Sequence, residues 1–234
     1  MSTSLMKQVK EIVQSKKSFL NHPFSQMLIR GELSKEALKG FATQWYIHAR
    51  EIIPCFIAIY NNIPRTPEYR DAVRKMVKVV VEEEGEDIVG GKIPSHPELA
   101  MRFAESLGLS RDEVEYAEPL PEERMCDSDI LMLSRSSALE GIAAIGVALE
   151  THVPESFEKY SESLRKHYGL GPNATEFWDI HVSADKEHGD TAEGLVQQFV
   201  HTKDDEAKLL NAVKRGLDAI WLWYDGMLRT YAKR

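Results

Sequence analysis

Apolar residues recur three and four positions apart along most of this 234-residue chain, which is the spacing of one helix face. In the first segment, for example, apolar side chains stand at positions 5, 6, 9, 12, 13 and 19. An alternating apolar and polar pattern with the turn residues of a hairpin is not found. We therefore predict an all-α protein, a single domain over residues 1–234 with seven to eight helices packed as one bundle.

Capping and helix-breaking residues set the predicted helix boundaries. Ser34 is a predicted N-cap of a long helix, which Pro54 should kink because proline lacks a backbone N–H. Ser95 and Ser110 each stand three residues before a glutamate, the pattern of a capping box, and residues 85–94 between helices are predicted to form a loop. Four further helices are predicted over residues 127–151, 154–168, 175–201 and 204–232.

The composition is that of an ordinary globular protein and argues against several classes of function. With a net charge of -8 and no basic stripe, the chain does not suit a nucleic-acid partner. No apolar run reaches the roughly 18 residues that a membrane span needs, and the N-terminus lacks a signal-peptide pattern, so a cytoplasmic location is expected. Cys55 and Cys126 form neither a disulfide framework nor a C-x-x-C motif and are interpreted as buried small side chains.

His181, Asp185 and His188 are the first candidates for chemistry. In a helix they stand at i, i+4 and i+7, so their side chains project from one stripe. Two imidazoles and a carboxylate on one stripe are suitable ligands for a transition metal. The same spacing also fits a solvated helix face with two incidental histidines, and this stretch alone does not decide between the two interpretations.

Glu83, His96 and Glu150 are polar residues where the helix pattern predicts an inward orientation. A carboxylate inside an apolar helix face is costly unless it is paired or bound to metal. The plain alternatives are an acidic helix end for Glu83, a loop histidine for His96, and a helix cap or an arginine partner for Glu150. Because other glutamates flank Glu83, the first carboxylate remains open among Glu82, Glu83, Glu84 and Glu86.

Three carboxylates and three imidazoles from separate helices form one set of candidate metal ligands. Helix bundles build di-iron and di-manganese sites from such sets, with carboxylates as bridges. Glu140, on the same predicted helix as Glu150, is interpreted as a supporting or salt-bridged residue. The six candidate ligands are Glu83, His96, Glu150, His181, Asp185 and His188.

The order of these motifs resembles the heme-oxygenase-like di-iron oxidases over nearly the whole chain. Within that group the chain is more similar to the para-aminobenzoate synthases than to the pyrroloquinoline quinone synthases. The segments that carry the resemblance are 22–24, 30–34, 45–48, 108–113, 150–154 and 185–189.

The resemblance implies an O2-dependent non-heme di-iron oxidoreductase in which the six candidate residues bind two Fe(II) ions, or a manganese and an iron, with O2 as co-substrate. It also implies a small-molecule substrate from a biosynthetic pathway, an amino acid or amine, changed by N-oxygenation, desaturation or C–C cleavage. We expect His48 and Arg50 to receive a substrate carboxylate and Tyr46 to wall an apolar pocket. A surface ion pair with Glu51 is the alternative for Arg50.

Three residues depart from the para-aminobenzoate synthases. Those enzymes consume one of their own tyrosines and use a lysine as amine donor, whereas the matching positions here hold Ser25, Phe41 and Tyr160. An external substrate is therefore expected. Two other interpretations stay open, a cofactorless oxidase like the quinone synthases and a non-catalytic interaction protein, and the apolar stretch 220–224 suggests a homodimer interface.

Overall fold

The protein is all-α over the residues that the structure, a computed structural model, describes. These are residues 3–15 and 18–232, with only the backbone described at 3, 15, 183–191 and 193. No strand occurs in this part of the chain, and none of its helices combines the length and apolar character needed to cross a bilayer. The helices are α1 (Thr3–Ser15), α2 (Pro23–Ile29), α3 (Lys35–Glu51), α4 (Ile53–Asn62), α5 (Arg70–Glu84), α6 (His96–Ser106), α7 (Arg111–Glu115), α8 (Pro121–Ser136), α9 (Ala138–Ile142), α10 (Val153–Tyr168), α11 (Pro172–Phe199) and α12 (Lys203–Tyr231).

The predicted caps explain where several of these helices begin. The Ser34 side chain accepts a hydrogen bond from Ala37 N at 3.1 Å and opens α3. Ser95 opens α6 in the same way, through Glu98 N at 3.2 Å. Pro54 interrupts the long helix that was predicted to follow Ser34. As expected, α3 ends at Glu51, and α4 begins at Ile53, one residue before the proline.

The predicted helix over residues 127–151 is wrong as a single element. Ser137 is extended, with φ -165° and ψ 160°, and its hydroxyl accepts a hydrogen bond from Glu140 N, so α8 ends and α9 begins there. A serine side chain can cap the backbone in this way and compete with helix continuation. A π-helical segment (Ala143–Val147) and a 3-10 turn (Glu150–His152) follow α9. These breaks account for more helical segments than the seven to eight predicted.

Aromatic side chains hold α3, α11 and α12 together at the centre of the bundle. Phe41 stacks on Trp178 with ring centroids 5.7 Å apart and planes 12° apart. Trp45 stacks on Trp223 at 5.1 Å. Each such ring buries a large apolar area, so these contacts fix the separation of the helices that wall the cavity described below.

The stretch 220–224 is mostly part of the core. Ile220, Trp223 and Tyr224 are buried, and Leu222 is the exposed member, at 46%. Burial inside the chain thus explains the apolar character that suggested a dimer interface. The homodimer itself remains an expectation.

Candidate metal centre

A cavity of about 410 Å³ lies between the central helices, and its wall is mostly apolar. Of the six candidate ligands, the four whose side chains the structure describes all line it: Glu83, His96, Glu150 and His181. The side chains of Asp185 and His188 lie outside the described residues. Residues far apart in sequence therefore meet at one cavity.

Glu83 and His96 are brought together by the loop between α5 and α6. Glu83 Oε2 lies 2.7 Å from His96 Nδ1, and both side chains are largely buried. Gly85 has a φ of +107°, and a Cβ at this position would lie only 2.8 Å from Ser95 N. Glycine permits both the left-handed backbone and the close approach, so the chain can return and place His96 beside Glu83.

His181 has the hydrogen bond expected of a metal-binding histidine. Its Nδ1 donates to the carbonyl oxygen of Phe177, one helical turn earlier, at 2.6 Å. A proton on Nδ1 places the lone pair of the ring on Nε2, which is the tautomer that metal-binding histidines commonly have. The ring centroids of His96 and His181 lie 4.5 Å apart, so the two imidazoles belong to the same group.

Glu150 begins the 3-10 turn that follows the π-helical segment. Such π segments are frequent at functional sites, because the extra residue changes the direction of the side chains that follow. A Cβ at Gly146 would lie 2.6 Å from Ala192 Cβ on α11 and 3.6 Å from Glu150 Oε2. The small residue therefore lets the π segment pack closely on α11 beside Glu150. Glu140 instead pairs with Ser137 Oγ at 2.7 Å and does not line the cavity.

The structure narrows the choice among the clustered glutamates. Glu82, Glu83 and Glu86 line the cavity, whereas Glu84 is exposed. Glu82 forms an ion pair with Lys78 at 3.1 Å. Glu83 is the one placed within hydrogen-bonding distance of His96.

The donor set suits iron. Two carboxylates and two imidazoles, one with its tautomer set by a backbone carbonyl, are the mixed oxygen and nitrogen ligands that non-heme iron takes. They come from α5, α6, the turn after the π segment, and α11, and they share one mostly apolar cavity. The described residues thus provide a place for a metal centre.

Of the three expected substrate-binding residues, only His48 lines the cavity. Tyr46 hydrogen-bonds to Glu115, and Arg50 pairs with Glu51 at 3.0 Å and Glu115 at 3.8 Å. The reason is helical geometry: on α3 these two positions project from a different face than His48. The ion pair with Glu51, the alternative for Arg50, is the one formed.

Sequence reasoning missed two acids behind His48, the buried Glu123 and the partly buried Asp127. His48 Nδ1 lies 2.9 Å from Asp127 Oδ1 and 3.4 Å from Glu123 Oε1. The three side chains are close enough for one ligand atom from each to lie within 4.8 Å of the others. The sequence contains a signal for Glu123, because its position continues the apolar stripe that Cys126, Ile130 and Leu133 form on α8.

Burial and pairing perturb the ionisation of this group. Burial opposes the charge on His48, but hydrogen bonds to Asp127 and Glu123 outweigh it and raise its pKa to about 10. Burial raises the pKa of Glu123 well above the ordinary value, although its proximity to His48 acts in the opposite direction. His48 is thus held as an imidazolium at neutral pH.

The positions that distinguish the chain from the para-aminobenzoate synthases lie together. Tyr160 Oη is 2.7 Å from Ser25 Oγ and 3.2 Å from Tyr224 Oη, and the Phe41 ring packs against Tyr160. Burial raises the pKa of Tyr160, so its phenol is neutral. This group contains no amine donor.

The two cysteines are buried, as expected. Burial raises the pKa of the Cys55 thiol to about 12 and that of Cys126 well above its ordinary value. Neither residue lines the cavity. Nucleophilic thiolate chemistry at this site is therefore not supported.

Comparison with known proteins agrees with this geometry. A 4-aminobenzoate synthase of Nitrosomonas europaea is 29% identical over 240 residues, covering 99% of this chain and 94% of the relative. A pyrroloquinoline-quinone synthase of Cronobacter sakazakii is 24% identical, covering 91% of this chain and 82% of the relative. A solved structure from Shewanella denitrificans, a domain of unknown function with a heme oxygenase-like fold, is similar with a TM-score of 0.77 and 16% identity, covering 98% of this chain and 93% of that chain.

The fold of this chain is accordingly heme oxygenase-like. The family of proteins described as iron-containing redox enzymes matches residues 39–221, which is well over half of the chain. The protein therefore belongs to the family of iron-containing redox enzymes.

Proposed function

We propose that the protein is an O2-dependent non-heme di-iron oxidase or oxygenase that oxidises a small organic substrate. The observation that carries the proposal is the meeting of Glu83, His96, Glu150 and His181 at one mostly apolar cavity. Asp185 and His188, on the same helix as His181, are proposed to complete the ligand set. Membership of the iron-containing redox family supports iron as the metal.

The chain's own part in the reaction is to hold the ligands and keep water away. Iron(II), when bound, would supply the electrons that reduce O2. Glu83 and Glu150 would offset the positive charge of bound metals, and the hydrogen bond from His181 Nδ1 to Phe177 fixes the orientation of that ring. Trp45, Phe157 and Phe177 line the cavity beside these ligands and exclude solvent from the reacting groups.

The substrate class that we propose is an amino acid or amine in a biosynthetic pathway. A cavity of about 410 Å³ is of the size that small-molecule sites commonly have. The relatives named 4-aminobenzoate synthase and pyrroloquinoline-quinone synthase support an oxidative biosynthetic role. Ser25, Phe41 and Tyr160 support an external substrate, since no lysine amine stands at those positions.

The test is metal analysis followed by O2 consumption. The full chain is expressed with added iron, its metal content is measured, and the ferrous protein is mixed with O2 in the presence of single amino acids and amines. We expect iron in the purified protein and O2 uptake that one substrate class accelerates. A protein that binds no iron when supplied with it would overturn the proposal.

A second candidate is an oxidase on the same fold that needs no metal. The similarity to the pyrroloquinoline-quinone synthase favours it. Such an enzyme would need no cluster of inward carboxylates, so the two candidates differ in one measurement. Substrate-dependent O2 uptake by iron-free protein would support the second candidate and exclude the first.

A further inference from the structure

His48 marks one part of the cavity wall as different from the proposed metal ligands. Its ring lies against Trp223 with centroids 4.5 Å apart and against Trp45 with centroids 6.0 Å apart. Nδ1 faces the two acids of α8, and in the described part of the chain no partner reaches Nε2. Since the ring lines the cavity, Nε2 is the atom left to face a bound molecule.

Asp127 and Glu123 favour the charged form of this imidazole. Asp127 accepts from Nδ1 at 2.9 Å, and Glu123, which is fully buried, has its nearer oxygen 3.4 Å away. Neither carboxylate oxygen of Glu123 has another hydrogen-bond partner among the described residues. A histidine protonated on both nitrogens donates from both, so the second proton is directed at the cavity. The indole face of Trp223 also favours a cation at this distance.

Among the described residues, the rest of the wall offers no other fixed cation. None of the described residues that line the cavity is a lysine or an arginine, and the other two imidazoles on the wall are proposed metal ligands. Most of the residues that line the cavity with His48 are apolar, including Ile52, Phe56 and Ile220. An anion could be buried here only if it accepts a charge-assisted hydrogen bond, and His48 Nε2 is the available donor.

We propose that His48 Nε2 is a carboxylate-binding subsite, and that the substrate is a small carboxylic acid with an apolar body. The carboxylate is held at His48 and the apolar body lies along Trp45 and Trp223, in the same cavity as Glu83 and Glu150. This inference rests on the proposed function, because it identifies the bound acid as the substrate of the proposed oxidase. Binding of the acid can nevertheless be measured without any reaction.

The experiment compares 3-phenylpropionate with its amide, 3-phenylpropanamide, by calorimetry on the full chain. We expect the acid to bind more tightly than the amide, and His48→Gln to weaken acid binding about 10- to 100-fold while changing amide binding little. His201→Gln is the matched control, since this exposed histidine does not line the cavity and should leave both affinities unchanged.

Each measurement is repeated with and without added Fe(II). If the protein takes up no iron but still binds the acid, the result would contradict the proposed function and support the carboxylate-binding subsite. Equal affinities for acid and amide, or an unchanged affinity in His48→Gln, would overturn the subsite whatever the iron content.

Two further results guard the interpretation. Should His48→Gln fail to fold by circular dichroism, Asp127→Asn gives the same test, because it removes the charge that holds the imidazolium. The Asp127→Asn substitution is therefore also expected to weaken acid binding. Loss of a bound metal ion from the Asp127→Asn variant, with acid binding unchanged, would overturn the proposal, since the three side chains would then hold a cation in place of a proton.

Discussion

His48 Nδ1 lies 2.9 Å from Asp127 Oδ1, and this contact links α3 to α8 behind the cavity wall. The pair carries charge beside the aromatic rings of Trp45 and Trp223. A buried charge of this kind is tolerated only when it is paired, so the contact should be visible in the pH dependence of stability.

The first prediction concerns His48→Gln. The pKa of His48 is about 10 in the fold and 6.5 ordinarily, so its protonation contributes stability that is complete below 6.5 and is lost as the pH rises through about 10. The variant should therefore be less stable than the wild type by roughly 2–4 kcal/mol at the acid end of this range. Urea unfolding at several pH values measures the difference, and a difference independent of pH would contradict the assignment.

The second prediction concerns Glu123→Gln, which is expected to stabilise the protein at neutral pH, whereas His48→Gln destabilises it. A carboxyl group whose pKa is raised by folding binds its proton more tightly in the fold, so the wild type loses stability as the pH rises above 4.5. Glutamine does not titrate, and the variant should become more stable than the wild type, by an amount of the order of 1 kcal/mol at neutral pH. Asp127 still accepts from His48 in this variant. The unfolding free energy of the variant minus that of the wild type should therefore increase from pH 4.5 to neutral pH. A decrease in this difference over that range would refute the raised pKa of Glu123.

The third prediction concerns the proposed iron ligands. His181→Ala and Glu150→Ala should each abolish the binding of about two irons per chain, because a shared site of this kind depends on every ligand. His201→Ala is the control and should keep its iron, since His201 does not line the cavity. Metal analysis after growth with iron gives the answer. Unchanged iron in both ligand variants would remove these residues from the site.

The fourth prediction concerns the packing of α12 on the π segment. A Cβ at Gly216 would lie 2.5 Å from the carbonyl oxygen of Ala144, which is backbone and cannot rotate away. Gly216→Ala should destabilise the protein by about 1–3 kcal/mol. Gly194→Ala is the matched control on α11, where a Cβ would meet none of the described residues within 4 Å, and it should stabilise by about 0.5–1 kcal/mol. Thermal unfolding of both variants tests the pair, and equal effects would argue against the close approach.

The helices were largely predictable because their signals are local. Ser34 and Ser95 cap the helices that they were predicted to cap, through hydrogen bonds to residues three positions away. The break at Ser137 was missed, since a serine in an apolar run is compatible with either a helix or a cap. Which of these it adopts depends on how α8 and α9 pack on their neighbours.

The candidate site was predictable where one helix face or a buried charge marked it. Glu83, His96 and Glu150 were chosen as polar residues predicted to point inward, and His181 was chosen from its spacing with Asp185 and His188 on one helix stripe. The four side chains share one cavity. Arg50 was assigned to the same stripe of α3 as His48, and Tyr46 was expected to wall an apolar pocket, yet both turn to Glu115. Neighbours in sequence on a helix point in different directions, so sequence proximity does not predict a shared site.

The amino-acid sequence by itself determined the helical class, most helix boundaries and the residue types available for a metal site, because these depend on spacing and chemistry along a few turns. Only the tertiary structure decided that Glu123 and Asp127 of α8 lie behind His48 of α3, and that His48 lines the cavity. Contacts between distant helices depend on how the side chains of whole helix faces pack together, and a short stretch of sequence does not predict this packing.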